Sequence, residues 1–155
     1  MKVLFLGNNS KTRLIEILES KGHKVLSTSK PVYSFETYDL VISFGYQHII
    51  KLETLKSATR PPINLHISYL PHNRGSNPNF WSCVDKTPAG VSIHEIEQGI
   101  DTGPIIFQET SNIISSMTFS ESHALLLNQI EELFIKNLPR IIQFDYIAIK
   151  QTKTK

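Results

Sequence analysis

Short apolar runs alternate with amphipathic stretches along the chain. After Lys2, the run Val3-Leu4-Phe5-Leu6 has the pattern of a strand covered on both faces, and Gly7 closes it. Gly7-Asn8-Asn9-Ser10 then reads as a turn into a helix over 11–21, with Leu14, Ile15 and Leu18 in one stripe. Gly22 stands where a helix end favours a left-handed residue. A short second strand is expected over 24–27, followed by an irregular connection over 29–38 that contains Pro31. Asp39-Leu40-Val41-Ile42-Ser43-Phe44 makes a third strand, ending at Gly45. Residues 51–57 have the spacing of a short helix with Leu52 and Leu55 inward, stopped by Arg60-Pro61-Pro62. A fourth strand follows at Ile63 to His66.

Residues 68–79, rich in Pro, Asn, Gly and Arg, have the composition of a loop. Pro78 suits the first turn of a helix through Phe80, Trp81 and Val84, a face that reads as packed around Cys83. Gly90-Val91-Ser92-Ile93-His94 alternates as a strand, and 104–109 forms another. Thr118-Phe119-Ser120-Glu121 has the form of a capping box opening a long helix. Its buried face is Leu126, Ile130, Leu133, Phe134 and Leu138, until Pro139 interrupts the pattern. Strands and helices in this order predict an α/β fold: a Rossmann-like, mostly parallel twisted sheet with helices on both faces. One domain is expected over 1–150, with 151–155 as a disordered tail. Ligands in such sheets sit beyond the carboxyl ends of the strands.

Composition changes this picture little. Hydrophobic residues make up 40% and charged residues 19% of the 155, an ordinary globular balance. The opening apolar run is only four residues long, too short for a signal-peptide core. No run approaches the roughly 20 apolar residues that span a bilayer, so no membrane association is expected. Cys83 is the single cysteine, which excludes an internal disulfide and fits a reducing, cytoplasmic setting. The net charge of +2, from 16 basic and 14 acidic residues, argues against a nucleic-acid partner. The basic surplus gathers at Lys150, Lys153 and Lys155.

Candidate chemistry lies in Ile63 to Gly75 and again in Gly99-Ile100-Asp101-Thr102-Gly103. Strand side chains alternate with period two, so Asn64 and His66 project to the same side. Asp101 sits in a turn between glycines that allow close approach, which makes it the third partner. An amide can donate to a developing oxyanion, an imidazole can carry a proton near neutral pH, and a carboxylate can orient the ring. Singly, each of the three also suits the backbone needs of a strand end or a turn; together they favour an active site for moving an acyl-type group to an amine. Arg74 offers a fork for phosphate or carboxylate, and Asn73, Asn77 and Asn79 offer amides for hydroxyls. The Asn8-Asn9-Ser10 turn could hold an anion at a helix start, or serve as a turn alone. It lacks the G-x-G-x-x-G spacing of a dinucleotide site.

The ordered motifs N-L-H-x-S-x-L-P, N-R-G and G-V-S-I-H-x-I-x-x-G-I-D-T-G resemble the catalytic domain of the 10-formyltetrahydrofolate-dependent formyltransferases, most densely over 40–108. The resemblance implies a folate formyl donor and no metal. His94, with His66 and His72, also lacks the local spacing of a metal site, and is expected to support the catalytic group. By the same resemblance, the loop with Gln47, His48, Ile49 and Ile50 lines the pterin pocket, and Glu97, Gln98 and Ile100 contact the pterin through their backbone. The run from Asn73 to Trp81 is similar to the sugar-modifying branch, which implies a nucleotide-linked amino sugar as acceptor and adds Trp81 to the substrate contacts. Methionyl-tRNA is the second acceptor, glycinamide ribonucleotide a third, and a folate-binding module without turnover the reading from another class. Ile141, Ile142, Phe144, Tyr146 and Ile147 could supply a small homodimer interface.

Overall fold

The computed structural model describes residues 1–7, 12–113 and 116–152. The central strand β1 (Lys2–Gly7) buries every residue from Val3 to Gly7, because both of its faces are covered. It pairs in parallel with β2 (Lys24–Thr28) on one side and with β3 (Leu40–Phe44) on the other. β4 (Ile63–His66) joins β3, also in parallel. β5 (Gly90–Glu95) and β6 (Ile105–Thr110) complete the sheet by antiparallel pairing, in the order β2-β1-β3-β4-β5-β6. The link from β5 to β6 covers only 96–104, and a parallel crossover needs a dozen or more residues, so β6 must run back along β5. Strand order reverses between β1 and β3, which places a crevice at their carboxyl ends.

One face of the sheet presents Val3, Phe5, Leu40, Ile42, Ile63, Leu65, Val91 and Ile93 to the helices α1 (Leu14–Ser20) and α4 (Phe119–Gln143). The opposite face carries Leu4, Leu6 and Val41 under Phe35 and the short helix α2 (Leu52–Lys56). Helix α3 (Pro78–Val84) packs against α4. The α/β fold expected from the pattern is therefore present, with helices on both faces.

Some local expectations change. Helix α1 begins at Leu14, and the anticipated turn at Asn8-Asn9-Ser10, with Lys11, lies outside the described residues. In α2 the buried side chain is Thr54, while Leu52 is 38% exposed. Helix α3 turns Pro78, Asn79 and Ser82 inward and leaves Phe80, Trp81, Cys83 and Val84 exposed. The cause is polar: Asn79 Nδ2 donates to Ser122 Oγ at 3.0 Å, so the inward face is committed to the start of α4.

Helix α4 also continues through Pro139 rather than ending there. A proline inside a helix costs about 3 kcal/mol, through one missing hydrogen bond and a steric clash. Leu138 and Ile141 flank it and are 0% and 1% exposed, and burying each contributes about 1.5–3 kcal/mol, so tertiary packing outweighs the local cost. At the N-terminus the Thr118 and Glu121 capping box is complete. The helix stops at Phe144, whose φ of 57° is left-handed, and Arg60 Nη1 donates to the last-turn carbonyls of Ile141 and Ile142 at 3.1 Å each.

Phe134 is fully buried among both α4 and sheet residues. Phe134→Ala is expected to lower unfolding free energy by about 3–5 kcal/mol. Thr118→Ala should cost only about 1 kcal/mol. Urea denaturation of the two variants checks this order.

Candidate active site

The site occupies a polar band on an otherwise apolar sheet face. Asn64 and His66 on β4 lie directly opposite His94 and Ser92 on β5. These four share the face that carries Leu4, Leu6 and Val41 farther along the sheet, as the partnering of Ser43 with Asn64 requires. Under α2 that face is apolar; on β4 and β5 the cover is polar, and Asp101 and Gly75 close over the band.

Asp101 sits in a tight turn with a left-handed φ of 51°. Gly103 lies so close to the end of β5 that an added Cβ would come within 1.8 Å of Glu95 O. Only glycine permits this approach, and it brings the Asp101 carboxylate back over the strands. Asn64 Nδ2 donates to Asp101 Oδ1 at 3.0 Å, and the Gly75 N–H donates to Oδ2 at 2.8 Å. His66 Nδ1 lies 3.6 Å from Oδ2 and His94 Nε2 lies 3.3 Å from Oδ1. The amide, imidazole and carboxylate anticipated from sequence thus meet, with His94 as a fourth member.

Each ring is held from its other nitrogen. His66 Nε2 donates to Asn73 O at 3.1 Å, and His94 Nδ1 donates to Glu95 O at 2.7 Å. His94 Nε2 also lies 3.2 Å from Asn64 Nδ2. In a doubly protonated His94 ring, Nε2 donates to Asp101 and one Asn64 amide hydrogen is free to serve another acceptor. In a neutral ring Nε2 accepts that hydrogen instead.

Burial alone would raise the Asp101 pKa, but the hydrogen bond from His94, the His66 charge and the Gly75 N–H together hold it down to about 2. For His66, burial dominates and pushes the pKa below 6.5, while the Asp101 charge and the bond to Asn73 O oppose that shift and His94 adds to it. A buried carboxylate beside a ring that prefers to be neutral is suited to receiving and releasing a proton near neutral pH.

The remaining anticipated residues divide by their surroundings. Gln47, His48 and Ile49 are exposed in the loop after β3, with Ile49 84% exposed; Ile50 packs partly against the α2-side core. His48 Nε2 donates to Ser29 O at 3.1 Å, which turns its ring toward the connection before β3. Glu97, Gln98 and Ile100 are exposed in the link from β5 to β6. Asn73 gives its amide to Thr87 Oγ1 at 2.6 Å and its carbonyl to His66. Arg74 is spent on Gln151. Asn79 is buried with its amide turned into α4, away from any substrate hydroxyl. Asn77 and Trp81 remain exposed at the start and middle of α3. Among the described residues there is no group of three or more His, Cys, Asp or Glu that could hold a metal ion. No helix among them is long and apolar enough to cross a membrane.

Comparison with known proteins places this arrangement. The model of the formyl transferase family matches residues 3–138. The chain belongs to that family. Its relatives include the methionyl-tRNA formyltransferase of Clostridium novyi, 30% identical over 76% of this chain and 38% of that protein. Another is the dTDP-4-amino-4,6-dideoxyglucose formyltransferase of Mycobacterium bovis, 33% identical over 73% of this chain and 47% of that protein. This formyl transferase chain therefore spans less than half the length of those two relatives. Among solved structures, the formyltransferase PseJ from Anoxybacillus kamchatkensis, in complex with UDP-4,6-dideoxy-4-formamido-L-AltNAc and tetrahydrofolate, superposes with a TM-score of 0.94. It is 35% identical, and the match covers 99% of this chain and 83% of that one.

Sequence reasoning underused two groups in this formyl transferase fold. His94 touches both Asn64 and Asp101, and the repeated polar-x-polar spacing of Asn64 with His66 and Ser92 with His94 was the available signal. The Gly75 N–H carries no side-chain signal at all.

The two titrations both weaken the fold in acid. Asp101 drops from 3.8 unfolded to about 2 folded, so it stabilises above about pH 4 and that stability is lost as pH falls through about 2. His66, lowered from 6.5, disfavours the fold as pH falls below that value, where the unfolded ring takes up its proton first. Between about pH 5 and about pH 2 the wild-type chain should lose roughly 2 kcal/mol that Asp101→Asn does not lose. Urea midpoints measured across that range would show the two curves converging in acid.

Proposed function

We propose that this chain moves a formyl group from 10-formyltetrahydrofolate to the amine of a nucleotide-linked amino sugar, in the cytoplasm, with residues 1–150 as the catalytic domain. The observation that carries this reading is the meeting of Asn64, His66 and Asp101 on the polar band, in a chain that superposes on a sugar-nucleotide formyltransferase structure over nearly its whole length.

The residues present fit a folate. Ile49 and Ile100 are apolar side chains, 84% and 61% exposed, in loops at the ends of β3 and β5, as a flat aromatic ring requires. Gln47, His48, Ile49 and Ile50 would line one side of the ring, and Glu97, Gln98 and Ile100 the other. When bound, 10-formyltetrahydrofolate supplies the formyl group.

The geometry supports the following roles for the protein's own groups. Asn64 Nδ2 is placed to donate to a carbonyl oxygen gaining negative charge, once one of its hydrogens is free of His94. His66, held by Asn73 O and facing Asp101, takes the proton that the attacking amine must lose and returns it to the departing nitrogen. Asp101 stabilises the ring while it carries that proton. Of the anticipated substrate contacts, Asn77 and Trp81 are exposed for a sugar nucleotide, whereas Asn73, Arg74 and Asn79 serve the fold first. A homodimer is part of the same proposal, through exposed Phe144 and Ile147; Ile141, expected in that interface, is instead 1% exposed and packed in the core, because it faces the sheet from α4.

The 30% identity to a methionyl-tRNA formyltransferase favours one alternative acceptor. Assays with 10-formyltetrahydrofolate and either a nucleotide-linked 4-amino sugar or methionyl-tRNA should give a formamide product with the sugar alone. Transfer to the tRNA and not to the sugar would replace the acceptor. Asn64→Ala, His66→Ala and Asp101→Ala should each lower kcat/KM by more than about tenfold, about 1.4 kcal/mol of transition-state stabilisation, while circular dichroism stays native. Full activity in any of them would remove that residue from the mechanism.

A further inference from the structure

After α4 the chain returns to the catalytic turn and is fastened there at three points. Tyr146 packs edge-on against Phe107 of β6, with ring centroids 6.2 Å apart. Ile149 makes a reciprocal backbone pair with Ile105 at the start of β6, with both N–H···O distances 2.8 Å. Gln151 is the third point. Its Nε2 donates to Asp101 O and to Gly103 O, each at 2.8 Å. Its Oε1 accepts from Arg74 Nε at 3.0 Å and from Arg74 Nη2 at 2.7 Å.

A glutamine amide has two donor hydrogens and one oxygen with two lone pairs, and here all four are committed. The two carbonyls it holds belong to the turn that keeps Asp101 at a left-handed φ of 51°, a conformation that a non-glycine residue adopts only when its surroundings enforce it. Arg74 adjoins Gly75, whose N–H binds the Asp101 carboxylate. Gln151 therefore clamps the turn from behind while its Arg74 partner adjoins the segment that binds the carboxylate in front. The sequence pattern assigned Gln151 to a disordered tail and Arg74 to substrate; the rest of that tail, 153–155, lies outside the described residues.

We propose that Gln151 is a positioning residue, locking the Asp101 turn to Arg74 so that the carboxylate stays over Asn64 and His66. It touches no reacting atom, and the proposal rests on Asp101 being the partner of His66 in the reading above. A side chain that orients a catalytic group through a shared turn affects turnover more than substrate binding, because sub-ångström placement governs the chemical step.

The experiment uses the full chain with Gln151→Ala, Gln151→Glu and Arg74→Lys, and reads both formyl transfer and the His66 ring by NMR titration. Besides Asp101, the titratable group facing His66 is His94. Gln151→Ala should lower kcat by between about tenfold and a hundredfold, with KM for both substrates within about twofold of wild type. The His66 ring should titrate at lower pH than in wild type, because the Asp101 charge that supports its protonated form has moved away. Gln151→Glu can still take the Arg74 fork but cannot donate to the two carbonyls, so it should behave as Gln151→Ala. Arg74→Lys keeps the charge and loses the fork, and should move the His66 titration in the same direction by less. A folded Gln151→Ala chain with the wild-type His66 titration would overturn the proposal, as would wild-type behaviour in Gln151→Glu. Should Gln151→Ala fail to fold, an unmoved His66 titration in Arg74→Lys overturns it. Absence of formyl transfer from the wild-type chain would remove the activity proposed above, and the ring titration would still decide whether the lock exists.

Discussion

The Asp101 carboxylate is the group on which the local structure converges. It is largely buried, and a buried charge is tolerated only when donors surround it. Two donors arrive from separate parts of the chain, Asn64 from β4 and Gly75 from the following loop, and the rings of His66 and His94 on facing strands lie 3.6 and 3.3 Å from its oxygens. Removing the carboxylate would leave the Asn64 amide and the Gly75 N–H without their common acceptor. The left-handed backbone at Asp101 and the tight contact of Gly103 with Glu95 O are the local conditions under which that acceptor reaches the sheet.

The fold supplies the site by a change of polarity along one sheet face. At Leu4, Leu6 and Val41 that face is apolar and lies under α2 and Phe35; from Ser43 of β3 onward it turns polar, and on β4 and β5 it carries Asn64, His66, Ser92 and His94. The other face of the same strands is apolar throughout and holds α4. A strand can serve core and chemistry at once because its side chains alternate, so candidate catalytic groups at 64 and 66 cost the core nothing at 63 and 65. The packing that stabilises the sheet is thereby also what fixes the spacing of the candidate catalytic groups.

Membership of the formyl transferase family and the PseJ superposition agree with the observed fold. The relatives include one named for a tRNA and one for a nucleotide sugar, so family membership by itself does not name an acceptor. On the proposed function the acceptor would be chosen by loops and by α3, where Asn77 and Trp81 are exposed while Asn79 is committed to α4. Loops carried on a rigid sheet vary without disturbing the core, which is the physical basis for one framework serving several amines.

What the sequence alone determined was everything that depends on periodicity and on ordered motifs. The strand runs at Val3 to Leu6 and Ile63 to His66, the stripe of α4 and the trio Asn64, His66 and Asp101 were all legible, because alternation and the glycine-bounded turn are local properties. Three features were decided only by tertiary structure. Helix α4 passes Pro139 because burial of Leu138 and Ile141 outweighs a local penalty that sequence reading takes at face value. Helix α3 turns its apolar residues outward because the inward position belongs to a hydrogen bond from Asn79 to a serine 43 residues away. Gln151, unremarkable in a polar stretch, acquires its four hydrogen bonds only when the chain returns past β6 to partners as distant as Arg74, 77 residues earlier. Contacts between residues so far apart leave no periodic trace, since they depend on where the completed sheet brings the chain.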